Sequence, residues 1–112
     1  MTNSTPTLIS RTAAAATPLS EGRLSALMLT HGTLEVRWYA PQGTDTQGPH
    51  DRDELYIVAS GSGSFVRGDE RVAFGPNDAL FVAAHEVHRF EDFSPDFATW
   101  VMFYGPVGGE SP

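Results

Sequence analysis

The chain has 112 residues, no cysteine, and a formal charge of −7 from fourteen acidic residues set against seven arginines and no lysine. One domain fits that length, and the absent residue types exclude disulfides, thiolate metal sites, cysteine nucleophiles and a lysine Schiff base. So acidic a chain repels phosphate backbones and anionic lipid heads, so neither nucleic acid nor a membrane surface is expected as a partner.

Residues 1–20 are rich in Thr, Ser, Ala and Pro with little to bury. They read as a flexible N-terminal arm, or else as a strand that pairs with a second copy of the chain. The alanines between Thr12 and Thr17 lack both the basic flank and the apolar length of an export signal. No apolar run approaches the roughly 18 to 20 residues of a spanning helix, so a cytoplasmic protein is expected.

From Leu24 onward short apolar runs alternate with turn residues. The runs are 26–30, 34–39, 54–59, 64–67, 71–74, 79–82, 87–90 and 97–104, separated by pairs such as His31-Gly32, Gly68-Asp69 and Ser94-Pro95. That spacing belongs to an all-β sandwich or barrel, and closure of the sheet removes aggregation-prone edges. No sustained 3.6-residue period occurs beyond a turn near residues 25–29. The domain is expected over 21–107, with a tail at 108–112.

Period-2 geometry decides which side chains share a face. His50, Glu54 and Tyr56 have one parity, so they aim together into the barrel, and His88 shares its face with Phe90. In the run 34–39 the apolar set Leu34, Val36 and Trp38 is expected inside, with Arg37 and Tyr39 outside. Two imidazoles and a carboxylate, His50, Glu54 and His88, are the composition of a two-histidine, one-carboxylate metal site with open positions. His31 reads as a turn residue. Asp51, Asp53, Glu86, Glu91 and Asp92 read as a hydrated acidic rim that favours a bound cation.

The stretches 43–61 and 75–88 resemble the two motifs of the cupin superfamily. In the first, His50, three residues, Glu54, six residues and Gly61 follow the family's His, Glu, Gly spacing without a gap, and Gly43 stands one residue short of the usual leading glycine. In the second, His88 takes the histidine position, Ala83 and His85 stand where proline and glycine are usual, and Asp92 stands for asparagine. Gly48 stands where the family's first histidine ligand sits.

The resemblance implies a single cupin-type double-stranded β-helix, a jelly-roll barrel, with one divalent metal ion (Fe, Mn, Ni or Zn) on His50, Glu54 and His88. Tyr56 and His85 are the candidates to move a proton beside it, and Gln47 lies near enough in sequence to offer an amide oxygen. The function expected is a metal-dependent enzyme of dioxygenase, isomerase or lyase type on a small polar metabolite. The alternative is a non-catalytic small-ligand-binding or sensor domain, with or without metal. A small-molecule ligand or substrate and a homodimer are the partners expected.

Overall fold

Turn residues at fixed intervals, with β-branched and aromatic runs between them, condense into two facing antiparallel sheets. The computed structural model describes residues 5–112. Its strands are β1 (Ala26–His31), β2 (Leu34–Tyr39), β3 (Asp53–Ser60), β4 (Gly63–Arg67), β5 (Glu70–Phe74), β6 (Ala79–Val82), β7 (His88–Glu91) and β8 (Ala98–Tyr104). All eight apolar runs become strands, with ends shifted by one residue at most. One sheet has the order β1-β2-β8-β3-β6 and the other β5-β4-β7, the jelly-roll arrangement of a small barrel.

Only β1–β2 and β4–β5 are sequential hairpins; β3 crosses from the larger sheet to the smaller at Gly61. Gly61 has φ +82°, and a Cβ there would lie 2.5 Å from the Phe97 Cα. Both the left-handed backbone and the close approach therefore require glycine. Between the sheets lie Tyr39, Tyr56, Val58, Phe65, Phe74, Phe90, Phe97, Val101 and Phe103, all buried. Their rings meet at tilted and edge-on angles, such as Tyr56 on Phe90 at 4.9 Å and 84°, the geometry that aromatic quadrupoles favour.

Strand β2 is turned over relative to expectation. Arg37 pairs with Val101 and Trp38 with Trp100. Because Val101 faces the interior, the inward set is Glu35, Arg37 and Tyr39, and Val36 and Trp38 face out. The outer face is not simply solvent, which is why apolar residues are stable there. Trp38 packs edge-on against Trp100, ring centres 4.7 Å apart, and forms a second core with Ala14, Ala26 and Ala98.

Ala14 belongs to α1 (Arg11–Ala16), a helix that the sequence reading did not contain. Alanine has the strongest intrinsic helix preference, and Ser10 caps the helix by accepting from the Ala13 N–H at 3.1 Å. The arm expected over 1–20 falls partly on residues 1–4, outside the described residues. Within residues 5–20 the expectation of little burial fails at Ala14, which is wholly buried. The turn expected near 25–29 is instead the start of β1. Among the described residues no helix is long and apolar enough to cross a membrane.

Gly61→Ala is expected to destabilise the fold by about 2–4 kcal/mol, the sum of a left-handed penalty and overpacking. Gly68→Ala, at φ +61° but with open space around its Cβ, is expected to cost only about 1 kcal/mol. Urea denaturation of the two variants checks the contrast.

Candidate metal centre

Three separate segments deliver the site. His50 comes from the loop before β3, Glu54 sits two positions into β3, and His88 opens β7 on the facing sheet. The side chains of Glu54 and His88 are buried, and that of His50 is 33% exposed, so the cluster meets solvent on the His50 side. One ligand atom from each of the three lies within 4.8 Å of the others. His50 Nδ1 is 2.8 Å from a Glu54 oxygen, and His88 Nε2 is 3.5 Å from the same oxygen. Ligand bonds of about 2.0–2.2 Å to one ion are compatible with separations of this size.

The donor inventory tests whether a cation fits. His88 Nδ1 lies 2.9 Å from the Glu86 carbonyl; a carbonyl only accepts, so Nδ1 donates, and in the neutral ring Nε2 carries a bare lone pair. Glu54 Oε1 is buried without a hydrogen-bond partner, and His50 Nδ1 has no aligned partner despite its short contact with Glu54. Glu54 Oε1 and His88 Nε2 are therefore buried acceptors, with the Tyr56 hydroxyl the one O–H beside them. Orphaned buried acceptors carry a desolvation cost, and a divalent cation removes it. His88, oriented through its other nitrogen by a backbone carbonyl, has the outer-shell support typical of a metal ligand.

Tyr56 lines the interior as expected. It is fully buried, and its hydroxyl lies 3.2 Å from Gln47 Oε1 and 3.1 Å from His88 Nε2. Burial first, and then the Glu54 charge, push the phenol well above its usual range, so it keeps its proton at neutral pH. Phe65 and Phe103 complete an apolar wall, the latter with its ring centre 5.0 Å from that of His50. A cavity of about 50 Å³ opens beside His50 between Gln47, Tyr39, Ser25 and Phe103.

His85 is not brought into the cluster. It stands at φ +70° in the turn after β6 with its side chain exposed, at the position where the family's motif has glycine. Its contribution is through the backbone, where its N–H donates to the His50 carbonyl at 2.7 Å and fixes the His50 loop. Arg52, adjacent in sequence, points to the rim: it bonds Thr33 O and Glu35 at 2.9 Å each and lies 5.5 Å above the Phe103 ring. Burial would raise the Glu35 carboxyl, yet Arg37 and Arg52 together hold it below its usual value.

Two acidic residues behave unlike the expected surface acids. Asp53, read as part of the hydrated rim, is buried and accepts from the Ala84 and Glu110 N–H groups at 2.9 and 2.8 Å. These backbone bonds lower its carboxyl below the usual range and tie the loop carrying His85, and the C-terminal segment, to β3. Asp45, which no sequence signal singled out, is also buried; it accepts from the Tyr39 hydroxyl and from Gln47 and Phe90. Burial, then that bond, raise the Tyr39 phenol. Of the rest of the expected rim, Asp51 is exposed, Glu91 and Asp92 are paired to Arg71, and Glu86 accepts from the Ala83 N–H at 2.8 Å, so much of its charge is met by protein groups and not by water.

Residues 36–104 match the family described as Cupin domain. An uncharacterized protein of Streptomyces coelicolor is 35% identical over 63 residues, 56% of this chain and 60% of that protein, so the chain spans less than two thirds of this relative. The structure of KdgF from Halomonas sp. superposes with a TM-score of 0.63 at 19% identity, covering 73% of this chain and 77% of that one. A cupin superfamily protein from Desulfitobacterium hafniense DCB-2 gives 0.63 at 18% identity, covering 93% and 100%. At these identities the structural likeness establishes the fold.

Glu54→Gln supplies an amide donor to the acceptor cluster and removes the buried charge. The metal-free variant is expected to be more stable than metal-free wild type by about 1–3 kcal/mol, read as a higher melting temperature, while its metal binding is lost. His85→Gly relieves the left-handed strain and is expected to retain full metal content by elemental analysis, with stability raised by about 1 kcal/mol.

Proposed function

The chain belongs to the cupin domain family, and from that premise we propose that it is an enzyme that holds one divalent metal ion on His50, Glu54 and His88 and acts on a small polar metabolite. The observation that carries this reading is the buried Glu54 carboxylate, one oxygen unpartnered, among imidazole and amide acceptors with a single O–H. A bound Fe, Mn, Ni or Zn ion would supply Lewis acidity and adjacent open positions for a substrate oxygen.

The chain's own groups divide the remaining work. His88 and Glu54 are fixed by β7 and β3, and His50 is held in its loop by the backbone of His85. Tyr56 keeps a proton on its phenol oxygen within the site, where it donates to an oxygen that gains negative charge during reaction. Of the two sequence candidates for that task, the exposed His85 ring is the poorer placed. Phe65 and Phe103 keep bulk water from the buried side. The cavity of about 50 Å³ beside His50 is the side from which a small ligand would approach the cluster. The reading covers dioxygenase, isomerase and lyase chemistry alike.

One observation favours the second reading, a non-catalytic ligand-binding or sensor domain: Gly48 removes a ligand position and leaves open space around its Cα. Elemental analysis of chelator-free protein separates the readings when paired with turnover and thermal-shift assays on diketones, thiols and catechols. The enzyme reading expects near-stoichiometric metal, lost in His50→Ala and His88→Ala, with turnover that falls by about 10²–10⁴-fold in Tyr56→Phe. Ligand-induced thermal shifts without turnover would select the binding domain.

We also propose that two copies pair through the β3–β6 end of the outer face of the five-stranded sheet. Leu29, Val36, Met102, Leu55 and Phe81 stand opposite one another on successive strands as one uncharged row; Pro6, Thr7 and Ile9 lie over its Leu29, Val36 and Met102 end, whereas Phe81 at the other end is 44% exposed. A chain of charge −7 meets a copy of itself with least repulsion on such a face. Leu55→Glu is expected to halve the mass measured by light scattering without altering the circular dichroism of the fold.

A further inference from the structure

Tyr56 has one proton and two acceptors at hydrogen-bond distance, with the Glu54 carboxylate beside them. Gln47 Oε1 lies at 3.2 Å and His88 Nε2 at 3.1 Å, and the second is the lone pair that the metal reading requires. Which acceptor takes the hydroxyl proton decides whether His88 is free to bind an ion. Distances this similar do not decide it.

The orientation of Gln47 does. Its side-chain Nε2 donates to Asp45 Oδ2 at 2.8 Å, and its backbone N–H donates to Asp45 Oδ1 at 3.0 Å. An amide whose nitrogen is committed to a carboxylate presents its oxygen on the opposite side, here to the Tyr56 hydroxyl. Asp45 is in turn immobile, since it is buried and also accepts from the Tyr39 hydroxyl and the Phe90 N–H. The loop preceding β3 thus carries a carboxylate that sets an amide, and the amide oxygen receives a phenol.

We infer that Gln47, clamped by Asp45, is a positioning residue that draws the Tyr56 hydroxyl proton to itself and thereby keeps the His88 Nε2 lone pair bare for a metal ion. This rests on the metal-site reading above and goes beyond it: Gln47 acts without being a ligand, through the direction of one O–H bond. Once Nε2 is engaged, the Tyr56 hydroxyl rests on Gln47 and is free to turn toward a substrate oxygen that gains negative charge. Removal of the amide frees the hydroxyl to donate to His88, and an ion must then displace that hydrogen bond before it binds.

The experiment has a metal-free arm and a metal arm. In metal-free protein, ¹⁵N NMR of the imidazole resonances is expected to show His88 Nε2 unprotonated, moving upfield in Gln47→Ala as it gains the hydroxyl hydrogen bond. In the metal arm, Zn²⁺ titration against a competing chelator is expected to show affinity about tenfold weaker in Gln47→Ala, the size of an outer-shell loss. In Tyr56→Phe, which has no proton to misdirect, adding Gln47→Ala is expected to change affinity by less than twofold, so the two substitutions couple fully. An unmoved or protonated Nε2, or an equal loss of affinity in the Tyr56→Phe background, would overturn the inference. Wild-type protein that binds no Zn²⁺ would overturn the metal reading instead, while the metal-free arm still reports where the hydroxyl points.

Discussion

Burying a carboxylate is costly unless donors or a cation meet its charge, and Glu54 is buried where donors are scarce. Its strand neighbours are apolar, His88 turns a lone pair toward it, and His50 touches it without hydrogen-bond alignment. The barrel keeps this arrangement because a large aromatic core fixes the two sheets on either side of the carboxylate. Stability is given up at one point and recovered across the whole interior, a trade common at functional sites.

Around that point, acidic side chains serve as internal pins for backbone. Asp45 accepts a backbone N–H from β7, joining the long loop before β3 to the opposite sheet. Asp53 holds the loop after β6 and the segment after β8. Both carboxylates are saturated with donors, the reverse of Glu54, three residues in one small domain showing how surroundings decide the role of the same functional group. The acidic composition is therefore in part architectural, and only the remainder forms a charged rim.

Much of this is legible in the sequence. The eight strands follow from turn chemistry, parity puts Glu54 and Tyr56 on one face, and the resemblance to the two cupin motifs brings His50 and His88 to them. The misreadings share a cause. Parity says which residues share a face but not which face is inside, so β2 was assigned inverted; its outer face is apolar because α1 and the second core cover it. The sequence places Asp53 in a hydrated rim because its backbone donors, Ala84 and Glu110, are distant along the chain. The helix α1 was legible only as propensity, an alanine run after Ser10, too short to show a period.

By itself the sequence determined the all-β class and the residues capable of holding a metal, since these depend on local spacing, turn residues and side-chain chemistry, and its resemblance to the two cupin motifs implied the barrel. Tertiary structure decided the balance of donors and acceptors around Glu54, the exposure of the His85 ring, the inward face of β2 and the clamp that aims Gln47 at Tyr56. Those depend on contacts such as Asp45 with Phe90 and Tyr56 with His88, pairs far apart along the chain, whose hydrogen-bond directions no residue pattern encodes until the sheets have closed on each other.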